Sequence, residues 1–163
     1  MFKLMRKVAK IILIVFTSVT FLSFACKAND DMNPLNTEIN FFTGVFDFSD
    51  DKQSAGLFGI QHQNEDLFNK TKYATVSPIT GGFITANSAI YLYTGLEAEY
   101  KLGPLIITPS FAPGYYHYGD GKDLGFPLEF KTEVQLSFDL GETTNLGMSY
   151  NHISNASLGS KNP

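Results

Sequence analysis

The chain has 163 residues, enough for one domain, with 12 basic and 16 acidic side chains, a single cysteine and no tryptophan. One cysteine excludes an internal disulfide. Without its first 28 residues the chain would set seven basic side chains against sixteen acidic ones, a net charge of −9 with no arginine, and such a surface excludes nucleic acid as a partner.

Residues 1–28 read as a cleaved signal peptide. Lys3, Arg6, Lys7 and Lys10 precede an apolar run over residues 11–25, with cleavage after Ala25 or, preferably, Ala28. The run falls short of the roughly 20 apolar residues that a membrane-spanning helix needs, and Thr17, Ser18, Thr20 and Ser23 interrupt it. Lipidation at Cys26 is disfavoured by the bulky Phe24.

Residues 29–163 show no amphipathic-helix pattern. Alternating runs of about ten to fourteen residues recur instead, separated by Gly, Pro, Asn and Asp turns. Strands are predicted over residues 38–49, 54–65, 75–86, 89–102, 105–118, 128–139 and 145–156. In 89–102, Ile90, Leu92, Thr94, Leu96 and Ala98 oppose Tyr91, Tyr93, Gly95, Glu97 and Glu99. In 128–139, Phe130, Thr132, Val134, Leu136 and Phe138 oppose Glu129, Lys131, Glu133, Gln135, Ser137 and Asp139.

A soluble sandwich or lipocalin-type barrel alternates in the same way, with its apolar face inward. The strand lengths argue otherwise: globular strands average about five to six residues, whereas membrane strands need roughly nine to eleven. Charges crowded onto one face suit a polar lumen, and abundant Phe and Tyr suit interfacial girdles. The expected fold is an all-β, antiparallel outer-membrane β-barrel over residues 29–163. With the N-terminus in the periplasm, residues 38–49 run outward, 103–104 form a periplasmic turn and 119–127 an extracellular loop. The connection 66–74 is longer than a periplasmic turn should be.

On the last strand, Leu146, Met148, Tyr150, His152 and Ser154 share one face. A nucleophile needs a base within hydrogen-bond reach, and an i, i+2 pair on a strand sits side by side, roughly 7 Å apart at Cα. A lone His-x-Ser is most often a strand end running into a polar loop. Here the pair would face outer-leaflet lipid, where polar groups are costly without a use. The esters of acylated glycolipids suit acyl transfer by such a pair.

The segment HISNASLGSKNP, residues 152–163, closely resembles the active-site segment of the lipid A 3-O-deacylase (PagL-type) family. In that family a His-x-Ser-Asn motif is followed by an asparagine and then a catalytic glutamate. A looser likeness extends over residues 108–134 and 81–95. The resemblance implies an eight-stranded outer-membrane barrel that hydrolyses an ester-linked 3-O-acyl chain of lipid A from outside the barrel, without metal or cofactor. It implies Ser154 as nucleophile, His152 as general base and Asn162 at the oxyanion position, with Asn155 as structural support. Lipopolysaccharide and the outer membrane are the implied partners, and homo-oligomers are left open.

Three departures qualify these expectations. The sequence ends at Pro163, before the positions of the triad acid, the eighth strand and the usual terminal aromatic residue. Ser157 stands where better-known members have glycine. Glu133, Asp139 and Glu142 offer no obvious substitute acid, the first two facing the lumen and the third lying in a periplasmic turn. The expectation is thus a barrel of the eight-stranded type, its last strand missing, that is poorly active as it stands. The rival readings are a non-enzymatic structural or adhesive outer-membrane barrel and a soluble periplasmic lipid-binding barrel. His62 and His117 lie on separate strands without metal-ligand spacing. Asp120 and Asp123 fall short of a calcium loop. Gly81 and Gly82 read as a strand kink, since no helix follows to make a phosphate site.

Overall fold

The computed structural model describes residues 24–27, 37–49, 53–64, 69–71, 73–141 and 144–161. Every regular element among them is a strand: β1 (Phe24–Lys27), β2 (Thr37–Phe46), β3 (Ala55–Asn64), β4 (Asn69–Lys70), β5 (Thr75–Thr85), β6 (Ile90–Leu102), β7 (Leu105–His117), β8 (Leu128–Asp139) and β9 (Asn145–Ser154). Seven long strands pair antiparallel in chain order, β2-β3-β5-β6-β7-β8-β9. Their bounds fall within about three residues of those expected from alternation, because each run stops where turn residues break the period.

The sheet is inside out relative to a soluble protein. On β6, Leu92 and Leu96 are 58% and 57% exposed, while Tyr91 and Glu97 are 0% and 7% exposed. On β8, Val134, Leu136 and Phe138 are exposed, while Glu129 and Lys131 are buried. An apolar surface that continues from strand to strand is stable only against another apolar phase, as on the lipid face of a membrane barrel. The soluble lipid-binding alternative, with its apolar face inward, is overturned by these burials. The fold is an incomplete outer-membrane β-barrel.

The lumen is filled by side chains. Lys131 Nζ lies 2.7 Å from Glu133 Oε2 and 4.2 Å from the centre of the Tyr93 ring. The Tyr93 hydroxyl donates to Gln61 Oε1 at 2.9 Å, and Gln61 Nε2 donates to Glu97 Oε2 at 3.2 Å. Towards one end this polar layer gives way to the rings of Phe46, Phe83, Tyr91 and Tyr116, with neighbouring centroids 5.6–6.5 Å apart. The Tyr91 hydroxyl lies 3.0 Å from the Ala112 and Glu129 carbonyl oxygens, tying the wall at β7 and β8 to this core.

Two strands lie outside the seven expected. β4 pairs with β5, Asn69 opposite Val76 and Lys70 opposite Thr75. A tight turn holds it, with Thr71 N and Oγ1 both donating to the Ala74 carbonyl. The long connection before β5 is therefore partly a small hairpin. β1 pairs with β2, Phe24 opposite Phe41 through Lys27 opposite Glu38, and lies within the segment read as signal peptide. Cα atoms of β1 and β9 approach within 8 Å, so the sheet curls until its edges face each other. Among the described residues no ladder joins β9 to β1 or β2.

Prolines leave their mark on β7. The β6–β7 ladder omits pairs around Pro109 and Pro113, where Tyr93 opposes Gly114 and the next pair is Leu96 with Phe111. Proline offers no ladder donor. A Cβ on Gly95 would lie 2.1 Å from the Phe111 carbonyl oxygen, so the strands close tightly there only because Gly95 has no side chain.

Candidate active site

The ends of β2, β5, β7 and β9 and the starts of β3, β6 and β8 lie at one end of the barrel, hereafter the loop end. β9 brings Tyr150, His152 and Ser154 outward towards it, with Tyr150 and His152 exposed and Ser154 half-buried. Ile153 and Asn155 point inward and are buried. In register, His152 lies opposite Thr132 and Ser154 opposite Phe130. Phe130 stacks on Phe111 with centroids 6.0 Å apart and planes 10° apart, so an aromatic strip runs across the outer wall from Ser154.

The histidine and serine share a face, as alternation requires. Among the described residues, no hydrogen bond joins the His152 ring to the Ser154 hydroxyl and no carboxylate pairs with that ring. Thr132 Oγ1 donates weakly to the His152 backbone carbonyl at 3.5 Å. Catalytic hydrogen bonds are often long before substrate binds, and side-by-side strand positions leave the two groups within rotamer reach of each other.

A reversal follows immediately. Leu158 N donates to the Asn155 carbonyl at 3.0 Å, and the central residues Ala156 and Ser157 have φ of 51° and 64°. This is the geometry of a type I′ turn, which normally takes Asn and Gly. Two side-chain-bearing residues in left-handed conformation cost of order 1–3 kcal/mol each, so the surrounding structure must impose the turn. Asn155 does much of this. Its Nδ2 donates to the Leu124 carbonyl at 2.8 Å and the Lys161 carbonyl at 2.6 Å, so one buried amide clamps both the β7–β8 loop and the segment beyond the turn.

The loop is anchored in turn. The Tyr116 hydroxyl donates to the Lys122 carbonyl at 2.8 Å, and Lys122 Nζ lies 2.7 Å from Asp47 Oδ2. Lys161 Nζ lies 2.9 Å from Asp123 Oδ2, and Gly125 N donates to Asp123 Oδ1 at 2.9 Å. The Lys161 ammonium, and next the Gly125 amide, hold the Asp123 carboxyl below its ordinary range. Gly125, at φ 90°, admits the segment closely: a Cβ there would lie 2.8 Å from Lys161 N.

Between the end of β2 and β9 lies a cleft of about 270 Å³, walled by Phe46, Asp47 and Phe48 on one side and by residues 149–153 on the other. The Phe48 ring meets Tyr150 edge-on at 6.1 Å. His152 lines this cleft together with Asp47 and Lys122.

The family profile of lipid A 3-O-deacylase (PagL) matches residues 34–163, a span that includes the whole of β9. The chain belongs to the PagL family. That family deacylates lipid A, a hydrolase activity, in the outer membrane. No curated protein and no solved structure matches the chain.

Of the residues singled out from sequence, His152, Ser154 and Asn155 come together at the end of β9, two outward and one inward. Asn162 lies outside the described residues, as does Glu142. Glu133 sits in the lumen, bound to Lys131. His62 and His117 are exposed on separate strands. Two carboxylates near the motif escaped the sequence reading. Asp47, at φ 51°, reaches the cleft only because the sheet curls β2 round to β9. Glu129, which alternation places on the inner face, proves to lie against Asn155, with Asn155 Nδ2 3.5 Å from its Oε1. No local pattern marks either contact.

Proposed function

We propose that the chain removes an ester-linked 3-O-acyl chain from lipid A in the outer leaflet, with Ser154 as nucleophile and His152 as general base. The observation that carries this reading is the outward placement of both side chains at the loop end of β9 in a PagL-family barrel. An ester in the surrounding lipid meets them there without entering the lumen.

The chemistry is acyl transfer in two steps. His152 accepts the Ser154 hydroxyl proton as Oγ attacks the ester carbonyl, forming a tetrahedral oxyanion. Collapse breaks the bond to the sugar 3-oxygen, which takes the proton from His152 and leaves as the free hydroxyl. Water, deprotonated by His152, then cleaves the acyl-serine ester, releasing a fatty acid and restoring Ser154. Donors for the oxyanion come from the backbone of the left-handed turn at Ala156 and Ser157 and from Asn162 at the family's oxyanion position. One such donor is worth about 10²–10³-fold in rate. The Phe130–Phe111 strip offers an apolar bed for the acyl chain.

His152 lacks a described carboxylate partner, and an orienting acid is worth about 10⁴-fold in a Ser-His-Asp enzyme. We therefore expect low activity from the 163-residue chain and a large gain when a strand carrying a glutamate a few residues beyond Pro163 is added. The comparison uses both forms, each with Ser154→Ala. Activity confined to the extended form and lost with Ser154→Ala supports the assignment. Full activity without the extension would show that another group serves as the acid, or that none is needed. Secretion through residues 1–28 and insertion in the outer membrane complete the reading, and N-terminal sequencing of the membrane-inserted protein tests the cleavage site.

A further inference from the structure

We propose that Glu129 is a positioning residue for this deacylation: a neutral carboxylic acid paired with the Asn155 amide, holding the turn that follows Ser154. The inference rests on the assignment of Ser154 as nucleophile. Both side chains are fully buried, at 0% exposure. Each carries one buried oxygen without a hydrogen-bond partner, Glu129 Oε2 and Asn155 Oδ1. Their other halves already lie side by side, Asn155 Nδ2 being 3.5 Å from Glu129 Oε1.

The Asn155 amide cannot turn over to help. Its nitrogen must face Leu124 O and Lys161 O, two carbonyls that only accept, so its oxygen must face elsewhere. Two orphaned acceptors are reconciled by one proton. A hydrogen on Glu129 Oε2 donates to Asn155 Oδ1, while the two Nδ2 hydrogens stay on the Leu124 and Lys161 carbonyls and the 3.5 Å Nδ2–Oε1 approach is a close polar contact. An ionised Glu129 would instead leave a full charge buried without a cation, a costly arrangement. Among the described residues no basic group pairs with it; Lys131, two residues along the same face, is committed to Glu133.

The functional consequence follows from what Asn155 holds. It adjoins the nucleophile, opens the left-handed turn and clamps both the β7–β8 loop and Lys161. Glu129, on the neighbouring strand, fixes that amide from below without touching substrate. A displacement of about 1 Å in such a support can cost about 10²-fold in rate, while the outward lipid-binding surface stays as it was.

Glu129→Gln and Glu129→Leu separate the outcomes, measured on detergent-folded protein with purified lipid A and corrected for the folded fraction by heat-modifiable gel mobility. Glutamine reproduces the acid's one donor and one acceptor. The expected result is near wild-type kcat for Glu129→Gln and a loss of about 10²-fold in kcat, at unchanged KM, for Glu129→Leu. A support needed only for folding would lower the folded fraction and leave kcat per folded molecule unchanged. Infrared difference spectra against Glu129→Gln give a readout independent of turnover: a protonated-carboxyl carbonyl band should be present in wild type and absent from the variant. The proposal is overturned if that band is missing, if Glu129→Gln is as impaired as Glu129→Leu, or if Glu129→Leu matches wild type. Wild-type activity no higher than that of Ser154→Ala in both the 163-residue and the glutamate-extended form would instead refute the deacylase reading, and the infrared band would still decide the pairing.

Discussion

Replacing Lys131 with methionine tests the inside-out architecture through the most committed charge in the lumen. The lysine side chain is 3% exposed, its ammonium lies 2.7 Å from Glu133, whose side chain is 13% exposed, and it sits 4.2 Å above the Tyr93 ring. Methionine keeps much of the stem's volume but removes the charge. Glu133 is left buried without its cation, and breaking a buried pair from one side costs about 3–5 kcal/mol. Part of that is the desolvated cation–π contact, about 2 kcal/mol. Against a typical domain stability of about 5–15 kcal/mol the loss should be large. Adding Glu133→Leu should recover most of it, since replacing both charges of a buried pair with apolar groups is often nearly neutral. The assay is reversible urea unfolding in lipid vesicles, followed by circular dichroism and heat-modifiable mobility. Val134→Lys, on the outward face of the same strand, is the counterpart and should cost about 2–4 kcal/mol if it lies near the bilayer midplane. A Lys131→Met variant within about 0.5 kcal/mol of wild type, the range of ordinary surface substitutions, would refute the reasoning, because such a value belongs to a solvated lysine.

Ser154→Ala and His152→Ala should each abolish deacylation, and the double variant should lose no more than either single one, as for groups that act as a unit; lipid A product analysis reads this directly. Asn155→Ala leaves the Leu124 and Lys161 carbonyls without their donor, at about 1–3 kcal/mol for each unsatisfied group, and should expose the β7–β8 loop to protease as well as lower activity. Gly125→Ala, strained at φ 90° and crowded against Lys161, should free the segment after the turn, seen as faster amide exchange there. The Asp123 carboxyl is held below its ordinary range by Lys161 and the Gly125 amide. Its tie is therefore in full force above the unfolded value, about 3.9, and is lost as pH falls through the lower folded value. Amide exchange in residues 119–127 should quicken over that acid range in wild type, and Asp123→Asn should remove the pH dependence.

Most of the barrel was legible because a membrane strand states its two faces in alternate residues. Tyr91, Tyr93 and Glu97 against Leu92 and Leu96 already say which side is wet, once strand length excludes a soluble core. The same alternation placed His152 with Ser154 and turned Asn155 inward. What stayed hidden depends on curvature and on turns. Asp47 enters the cleft of His152 through the closing of the sheet, which no local period encodes. The left-handed pair Ala156 and Ser157 carries none of the Asn-Gly chemistry that would announce a type I′ turn. It is imposed by the Asn155 clamp, and Glu129 under that clamp looked like one more lumen charge. β4 is too short to show a period at all.

The central claim is that Ser154 and His152 deacylate lipid A from the outer face of β9. Mass spectrometry of lipid A from cells expressing the protein, beside cells expressing its Ser154→Ala variant at equal membrane levels, tests it most directly. The account predicts a loss equal to one hydroxyacyl chain, larger with the glutamate-bearing extension and absent with Ser154→Ala. Unchanged lipid A from both forms, each properly inserted, would contradict it and leave a barrel without this activity.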